Sequence, residues 1–266
     1  MSVDTVTEWI EPYAGFVFQD TVVIAERAEQ SRALACCDLD PAIFGDDADP
    51  AFFIAHAIAA GVANGISSDG SVNMMQGLVQ HRPVPLDVQL TVLGRVLTVE
   101  EVPRGKVVGT EVWFEDADGT RYLTTARKSL RPDPAKVGAR GAGERPPPVV
   151  DDPLALVEIG RFSFDPERVK AYNSKLNPIH FEPEAAARAG FRAPIIGGGM
   201  GVHFLTAEIW KRRRPQAIDL SIYFRRPVFW DDSGTVRVSS VQDHWTALCL
   251  EKDGKVATEA RVNSIA

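Results

Sequence analysis

Cysteine is scarce in this chain of 266 residues, which contains three, Cys36, Cys37 and Cys249. Three cysteines cannot form a disulfide framework, and their number suits the reducing conditions of a cytosol. No cluster of cysteine and histidine has the spacing of a zinc site. We therefore expect a cytoplasmic protein without a metal site.

An excess of positive charge is also lacking, since 29 lysines and arginines stand against 36 aspartates and glutamates, a net charge of −7. General binders of nucleic acids or anionic membranes have a basic balance, so we expect neither partner, although a local basic site for a small anionic ligand stays compatible with this charge. Long apolar runs are missing too, because residues 52–66 include His56 and Asn64 and are too short to span a bilayer. The first ten residues do not have the pattern of a signal peptide.

What is present is the composition of a globular protein, with 45% apolar and 24% charged residues. A chain of this length is one large domain or two small ones. Residues 132–153 are rich in proline and glycine, include three consecutive prolines at 146–148, and have no apolar period. Such a segment is typical of a linker. It predicts a first half at residues 1–131 and a second half at residues 154–266.

The two halves share three landmarks in the same order. Arg-Pro-Val, Asp-Gly and Ala-Arg occur at residues 82–84, 118–119 and 126–127, and again at residues 226–228, 253–254 and 260–261. This order, in two halves of similar size, predicts a duplicated fold.

Each half also has an apolar segment of helical length before a set of strand patterns. The helical segments are residues 50–65 and 197–212, and the strand patterns are residues 86–102, 106–130, 219–227, 235–243 and 246–265. The pattern predicts an α+β fold in which each half is a curled antiparallel sheet around one helix. We further expect the two halves to join strands across a shared seam.

The most informative stretch is residues 172–203. Asn177-Pro178-Ile179-His180 is predicted to be a loop, because Pro178 disfavours helix for the residue before it. A short helix is predicted from Pro183 to Ala189, and three glycines at 197–199 open the long apolar helix.

This stretch resembles the MaoC-like family of R-specific enoyl-thioester hydratases and dehydratases. The residues that match the family pattern are Asn177, Pro178, Ile179, His180, Glu182, Gly190, Phe191, Ile196, Gly199 and Met200. The resemblance implies a tandem hot-dog fold, with a first half that has lost its catalytic motif and a MaoC-like second half. The family's catalytic aspartate is Lys175 here, and its second histidine is Gly198.

The resemblance implies a catalytic role for His180 as acid and base, for Gly199 as a backbone oxyanion donor and for Asn177 as an orienting residue. Histidine suits proton transfer near neutral pH, and the N–H groups at a helix N-terminus suit a developing negative charge. Two other interpretations stay open: the glycines serve only close packing, and Asn177 only caps its loop. Lys175 is expected to hold a carboxylate of the acyl group or a phosphate rather than to accept a proton. His56 and His203, in apolar helical segments, are interpreted as packing residues.

The remaining substrate-binding candidates are Glu182, Gly197 and Gly198, together with the basic residues Arg212, Arg213 and Arg226. The basic residues belong to a cluster formed by residues 211–214 and 225–226. This cluster is either a solvated helix end, where cations suit the helix dipole, or a seat for the phosphates of coenzyme A.

The sequence therefore predicts a hydratase or dehydratase of an acyl-CoA or acyl-carrier thioester, with coenzyme A as part of the substrate and no separate cofactor. Two alternatives remain, because the family's aspartate is missing. One is an acyl-thioesterase in which His180 or Glu182 activates water, and the other is a non-catalytic subunit that binds acyl thioesters. Whether two such chains pair as a homodimer is left open.

Overall fold

The computed structural model describes residues 9–136, 141, 143, 145–173 and 177–266. Within these ranges the chain forms ten β-strands and five α-helices. The first half contains β1 (Thr21–Ile24), α1 (Arg27–Cys36), α2 (Phe53–Ala63), β2 (Val72–Gln80), β3 (Gln89–Val102), β4 (Gly105–Glu115) and β5 (Arg121–Pro132). The second half contains β6 (Val157–Ser163), α3 (Pro166–Asn173), α4 (Pro183–Arg188), α5 (Gly198–Arg212), β7 (Ile218–Phe224), β8 (Ser233–Val241), β9 (His244–Lys252) and β10 (Lys255–Ile265).

The described strands form one antiparallel sheet in the order β1-β3-β4-β5-β2-β7-β10-β9-β8-β6. When the strands of each half are numbered from its own start, both halves have the order 1-3-4-5-2. The halves meet where β2 pairs with β7, in a register that runs from Met75 opposite Tyr223 to Gln80 opposite Ile218. The predicted joining of strands across a seam is confirmed by this pairing.

The two central helices pack on the sheet, as the α+β prediction requires. Helix α2 contacts β3, β4 and β5, and α5 contacts β6, β8 and β9. Every residue from 200 to 210 of α5 is buried. The helix also packs against the 3₁₀ turn Pro50–Phe52 of the first half, so the two halves share contacts beyond the sheet. None of the helices in the described ranges has both the length and the apolarity of a membrane span.

The predicted segments differ from the observed ones mainly at their beginnings, and five elements lie outside all of them: β1, β2, β6, α1 and α3. The helix predicted over residues 50–65 starts with a 3₁₀ turn, and its α-helical part begins at Phe53. The strand predicted from residue 86 begins at Gln89, because Asp87 has a left-handed φ of 62° that interrupts an extended chain. The loop predicted at 177–180 contains a 3₁₀ turn, Pro178–His180.

Residues 146–150 of the predicted linker lie on the second half, whereas Pro132 ends β5 and Lys136 pairs with Glu101 of the first half. Arg225 donates to the carbonyl oxygens of Pro146 and Pro147 at 2.9 and 2.8 Å. Glu259 accepts from the N–H groups of Val149 and Val150 at 3.0 and 2.9 Å. Arg225 and Glu259 also pair with each other at 2.6 Å. Arg225, a member of the predicted basic cluster, is therefore occupied in fixing this segment.

Candidate active site

Asn177 joins the Asn-Pro-Ile-His loop to the first half. Its backbone is extended, as expected before Pro178, and its Oδ1 accepts from the N–H of Ile179 at 3.3 Å. Its Nδ2 donates to the carbonyl oxygens of Ser68 and Ser71, each at 3.2 Å. The side chain is therefore both the cap of its loop and a link between the halves. The expected orienting role would therefore act through the position of the loop.

His180 is held by the strand-like segment that leads into α5. Its Nδ1 lies 2.9 Å from the carbonyl oxygen of Ile195, and the N–H of Ile195 donates to the carbonyl oxygen of Ile179 at 3.2 Å. Because a carbonyl oxygen only accepts, Nδ1 has the proton and the neutral ring has its lone pair on Nε2. Burial, together with the charge of Arg127, lowers the pKa of His180 to about 4. The imidazole is neutral at neutral pH and Nε2 can accept a proton.

This pKa predicts a pH dependence of stability. Below the ordinary value of 6.5 the unfolded chain takes up a proton at His180, whereas the folded chain takes it up only near pH 4. The free energy of unfolding should therefore fall by at most about 3 kcal/mol as the pH falls through this window, and His180 should contribute nothing above it. Urea unfolding at pH 7 and pH 5 measures the change. The His180→Gln variant should show a smaller fall, and an equal fall would contradict the assignment.

The N-terminus of α5 offers free backbone donors beside this loop. Gly197 is the N-cap residue, and the N–H of Met200 donates to its carbonyl oxygen at 3.0 Å. Within the described part of the chain, the N–H groups of Gly198 and Gly199 donate to no other residue. Ile195, which binds His180, is only three residues before Gly198. Free donors and the positive end of a helix dipole thus lie near the imidazole.

The three glycines have different steric surroundings. A Cβ atom at Gly197 would lie 2.5 Å from Oδ1 of Asn173, and one at Gly198 would lie 2.9 Å from the ring of Phe224. Packing therefore requires glycine at both positions. A Cβ atom at Gly199 would meet its nearest neighbours at 3.5–3.6 Å, which is ordinary contact. The packing interpretation explains Gly197 and Gly198 but not Gly199.

A cavity of about 30 Å³ in the first half lies beside the same groups. It is lined by Ser68 and Ser71, whose carbonyl oxygens bind Asn177, and by Ile54 of α2. Ile54 is also among the nearest neighbours of Gly199. The cavity therefore adjoins both the Asn-Pro-Ile-His loop and the N-terminus of α5.

Arg127 lines this cavity from β5. It is on the inward face of the strand, the same face that presents the buried residues Leu123, Thr125 and Ser129. Burial lowers its pKa to about 10, so the guanidinium remains a cation at neutral pH. Its charge is close enough to His180 to contribute to the lowered pKa of that ring.

A buried hydrogen-bond network centred on His203 of α5 connects the two halves. Nδ1 of His203 lies 2.6 Å from Oδ2 of Asp49, and its Nε2 lies 2.8 Å from the hydroxyl of Tyr172. Asp49 and His203 are fully buried. Burial raises the pKa of Tyr172, so the hydroxyl keeps its proton and can donate it to Nε2. His203 is buried as expected, but it is a hydrogen-bonding residue rather than an apolar contact.

We expect the His203→Leu variant to lower the free energy of unfolding by about 3 kcal/mol, because it removes one partner of a fully buried polar pair. The Tyr172→Phe variant removes only the outer hydrogen bond and should cost about 1 kcal/mol. Urea unfolding of both variants at pH 7 measures the two losses. A loss below about 1 kcal/mol for His203→Leu would show that the network does not stabilise the fold.

The remaining substrate-binding candidates lie in different places. Glu182 is exposed at the start of α4. Arg212 pairs with the buried Glu208 and donates to the carbonyl oxygen of Ile159, and Arg213 donates to a backbone carbonyl at 2.8 Å. Both arginines are at the C-terminal end of α5, about 20 Å along the helix from its glycines. They are therefore not brought together with His180.

Arg226 is exposed just after β7, two residues beyond Phe224, the residue that packs on Gly198. It is thus at the same end of the second half as the catalytic loop, and its Nη1 donates to the carbonyl oxygen of Val256. Lys175 lies outside the described residues.

Sequence reasoning missed Arg127, Asp49 and Tyr172 as site residues. The sequence does contain a signal for Arg127. Inward and outward positions alternate along its strand, and this alternation puts the cation on the same face as buried residues. Asp49 precedes Pro50, a pattern typical of a helix start, but nothing local indicates that its carboxyl group binds a histidine 154 positions away.

The comparisons with known proteins concern mainly the fold. No family model matches the sequence. The mitochondrial 3-hydroxyacyl-[acyl-carrier-protein] dehydratase of Arabidopsis thaliana is 36% identical over 74 residues, which are 26% of this chain and 44% of that protein. The matched part is thus less than half of that relative's length.

The solved structures match nearly the whole chain. HtdX from Mycobacterium tuberculosis superposes with a TM-score of 0.71 at 19% identity, covering 94% of this chain and all of that one. A MaoC-like dehydratase from Phytophthora capsici superposes with a TM-score of 0.67 at 16% identity, covering 93% and 96% of the two chains. With its duplicated sheet and two central helices, this chain has the hot-dog fold of the MaoC-like dehydratases.

Proposed function

We propose that the chain is a hydro-lyase that adds water to an enoyl thioester, or removes it from the R-3-hydroxyacyl thioester, with coenzyme A as part of the substrate. The observation that supports this most directly is His180, whose Nδ1 is bound to the carbonyl of Ile195, leaving Nε2 as a free base. The free N–H groups of Gly198 and Gly199 begin the helix that follows Ile195. The fold similarity to MaoC-like dehydratases agrees with this chemistry.

The proposed reaction uses one residue for both proton transfers. Nε2 of His180 takes a proton from water while the water oxygen bonds to the β-carbon. The electron pair of the double bond moves toward the thioester carbonyl, whose oxygen becomes negative. The N–H of Gly199 stabilises that oxygen, as fixed donors do in other acyl-group chemistry. The proton on His180 then goes to the α-carbon, which gives the 3-hydroxyacyl thioester.

The coenzyme A part of the substrate needs contacts for its phosphates. Arg226 is proposed as one, because it is exposed at the same end of the second half as the glycines of α5. Lys175 remains a proposed contact for an anionic group of the substrate, either a phosphate or a carboxylate of the acyl group. Arg212 and Arg213 are less suited, since other described residues bind their side chains far from His180.

An absorbance assay tests the function. The purified chain is mixed with 2-pentenoyl-CoA or glutaconyl-CoA, which have five acyl carbons each and differ at the terminal carbon. Hydration lowers the absorbance of the conjugated thioester without release of thiol. Appearance of free thiol would instead show a thioesterase, and no change with either substrate would show that the chain only binds. Either of these two results would overturn the proposal.

A further inference from the structure

We propose that the cavity of the first half binds the far end of a short acyl group, and that Arg127 there pairs with a carboxylate on it. This inference rests on the proposed function and specifies its substrate class as thioesters of short dicarboxylic acids. It assigns a recognition role to the half that has no catalytic motif.

The first support is the absence of a partner for a half-buried cation, Arg127. Nε of Arg127 is buried and has no hydrogen-bond partner within the described residues. The same residues include no carboxylate that pairs with its guanidinium, although the chain has many ion pairs elsewhere. A cation whose Nε is buried without a partner loses hydration that nothing in the described residues replaces, so its place on the cavity wall indicates a counter-charge supplied by a ligand.

The second support is the chemistry of the lining. Among described residues the cavity has two arginines, Arg127 and Arg131, and no aspartate or glutamate. Arg131 has a partner, since its Nη1 lies 3.4 Å from Glu11, which leaves Arg127 as the uncompensated cation. Gln76, opposite Arg127 in the β2–β5 pairing, has an Oε1 that is buried without a donor. The site therefore offers one cation to a carboxylate, while the amide oxygen of Gln76 only accepts and makes no hydrogen bond with that anion.

The third support is position. Ile54 of the cavity lies beside Gly199, and Ser68 and Ser71 of the cavity bind Asn177. A thioester carbonyl at Gly199 would thus have the cavity of Arg127 beside it. This cavity is small, about 30 Å³, and suits the end of a short acyl group better than a long alkyl tail.

A carboxylate at Arg127 would also affect the base. The charge of Arg127 is one cause of the low pKa of His180. A bound anion would offset that charge, so His180 would become a stronger base when the correct substrate is in place.

The test measures binding with unreactive thioesters, so that it does not depend on turnover. Glutaryl-CoA and pentanoyl-CoA have five acyl carbons each and differ in the terminal group. Titration calorimetry with the full chain should give a Kd at least about tenfold lower for glutaryl-CoA, as expected for a charge-assisted pair. The Arg127→Met variant should lose this preference. Removing an unpaired buried cation is not expected to unfold the protein.

The matched control is Arg261→Met, at the corresponding Ala-Arg position of the second half, where the arginine is exposed. This variant should keep the preference for glutaryl-CoA. Equal affinities for the two thioesters in the unchanged chain, or a preference that survives Arg127→Met, would overturn the inference. Loss of the preference in Lys175→Ala alone would also overturn it. If the chain hydrates 2-pentenoyl-CoA but does not prefer glutaryl-CoA over pentanoyl-CoA, the proposed function stands and this inference fails. If it prefers glutaryl-CoA but hydrates neither enoyl-CoA, only this inference stands.

Discussion

We expect the His180→Ala variant to hydrate an enoyl-CoA at least about 100-fold more slowly than the unchanged chain, the usual effect of losing a general acid and base. In the proposed reaction this imidazole makes both proton transfers, so its loss should lower kcat rather than raise KM. The hydrogen bond to Ile195 is lost as well. Stopped-flow absorbance with glutaconyl-CoA measures kcat and KM, and circular dichroism checks the fold.

The matched control for this variant is His244→Ala. His244 is exposed at the start of β9, away from the catalytic loop, and its replacement should leave turnover unchanged. If His180→Ala folds and keeps its turnover, His180 takes no part in the reaction. In that case Lys175 or a bound water would have to supply the proton transfer.

The second large effect is expected when Gly199 is replaced by proline, which removes one backbone N–H donor. Gly199 is the second residue of α5, and the first turn of a helix tolerates proline because its N–H groups have no partner within the helix. If the N–H of Gly199 stabilises the thioester oxygen, Gly199→Pro should lower kcat by about 100-fold. Turnover of glutaconyl-CoA and binding of glutaryl-CoA are measured together, and binding should change much less than kcat.

The Gly199→Ala variant separates the donor from the side-chain space. Alanine keeps the N–H, and its Cβ atom would meet neighbours only at ordinary contact distances. We therefore expect Gly199→Ala to keep most of the activity. An equal loss in both variants would mean that the site requires an open space at Gly199 rather than a donor.

The sequence predicted the strands and helices whose patterns repeat, but not those whose stability depends on neighbours. β3, β4, β8, β9 and β10 alternate or surround Asp-Gly turns, and they occur close to the predicted positions. β2 was missed because Gly77 and two adjacent methionines hide its alternation. It forms because β5 and β7 pair with it on both sides. Such support from sequence-distant strands is invisible in a local pattern.

The candidate site also contains residues that a local pattern indicates and residues whose position depends on distant parts of the chain. The roles of His180, Asn177 and Gly199 followed from one continuous stretch of sequence, and the structure places all three around the start of α5. Arg127 could be placed on the inward face of its strand, but its influence on His180 could not be inferred, and neither could the bond from Asp49 to His203. Predicting them requires knowing how the halves meet.

The shared order 1-3-4-5-2 of the two halves has an evolutionary consequence. In a homodimer of identical hot-dog units, every substitution appears twice, so a change that suits one binding surface also alters the other. Covalent fusion removes that constraint. Arg127 faces a cavity while the arginine at the matching landmark, Arg261, faces solvent. Under the proposed function, single substitutions in the first half would change substrate preference while the Asn-Pro-Ile-His loop of the second half stays the same. The first half is then the natural target for redesign of specificity.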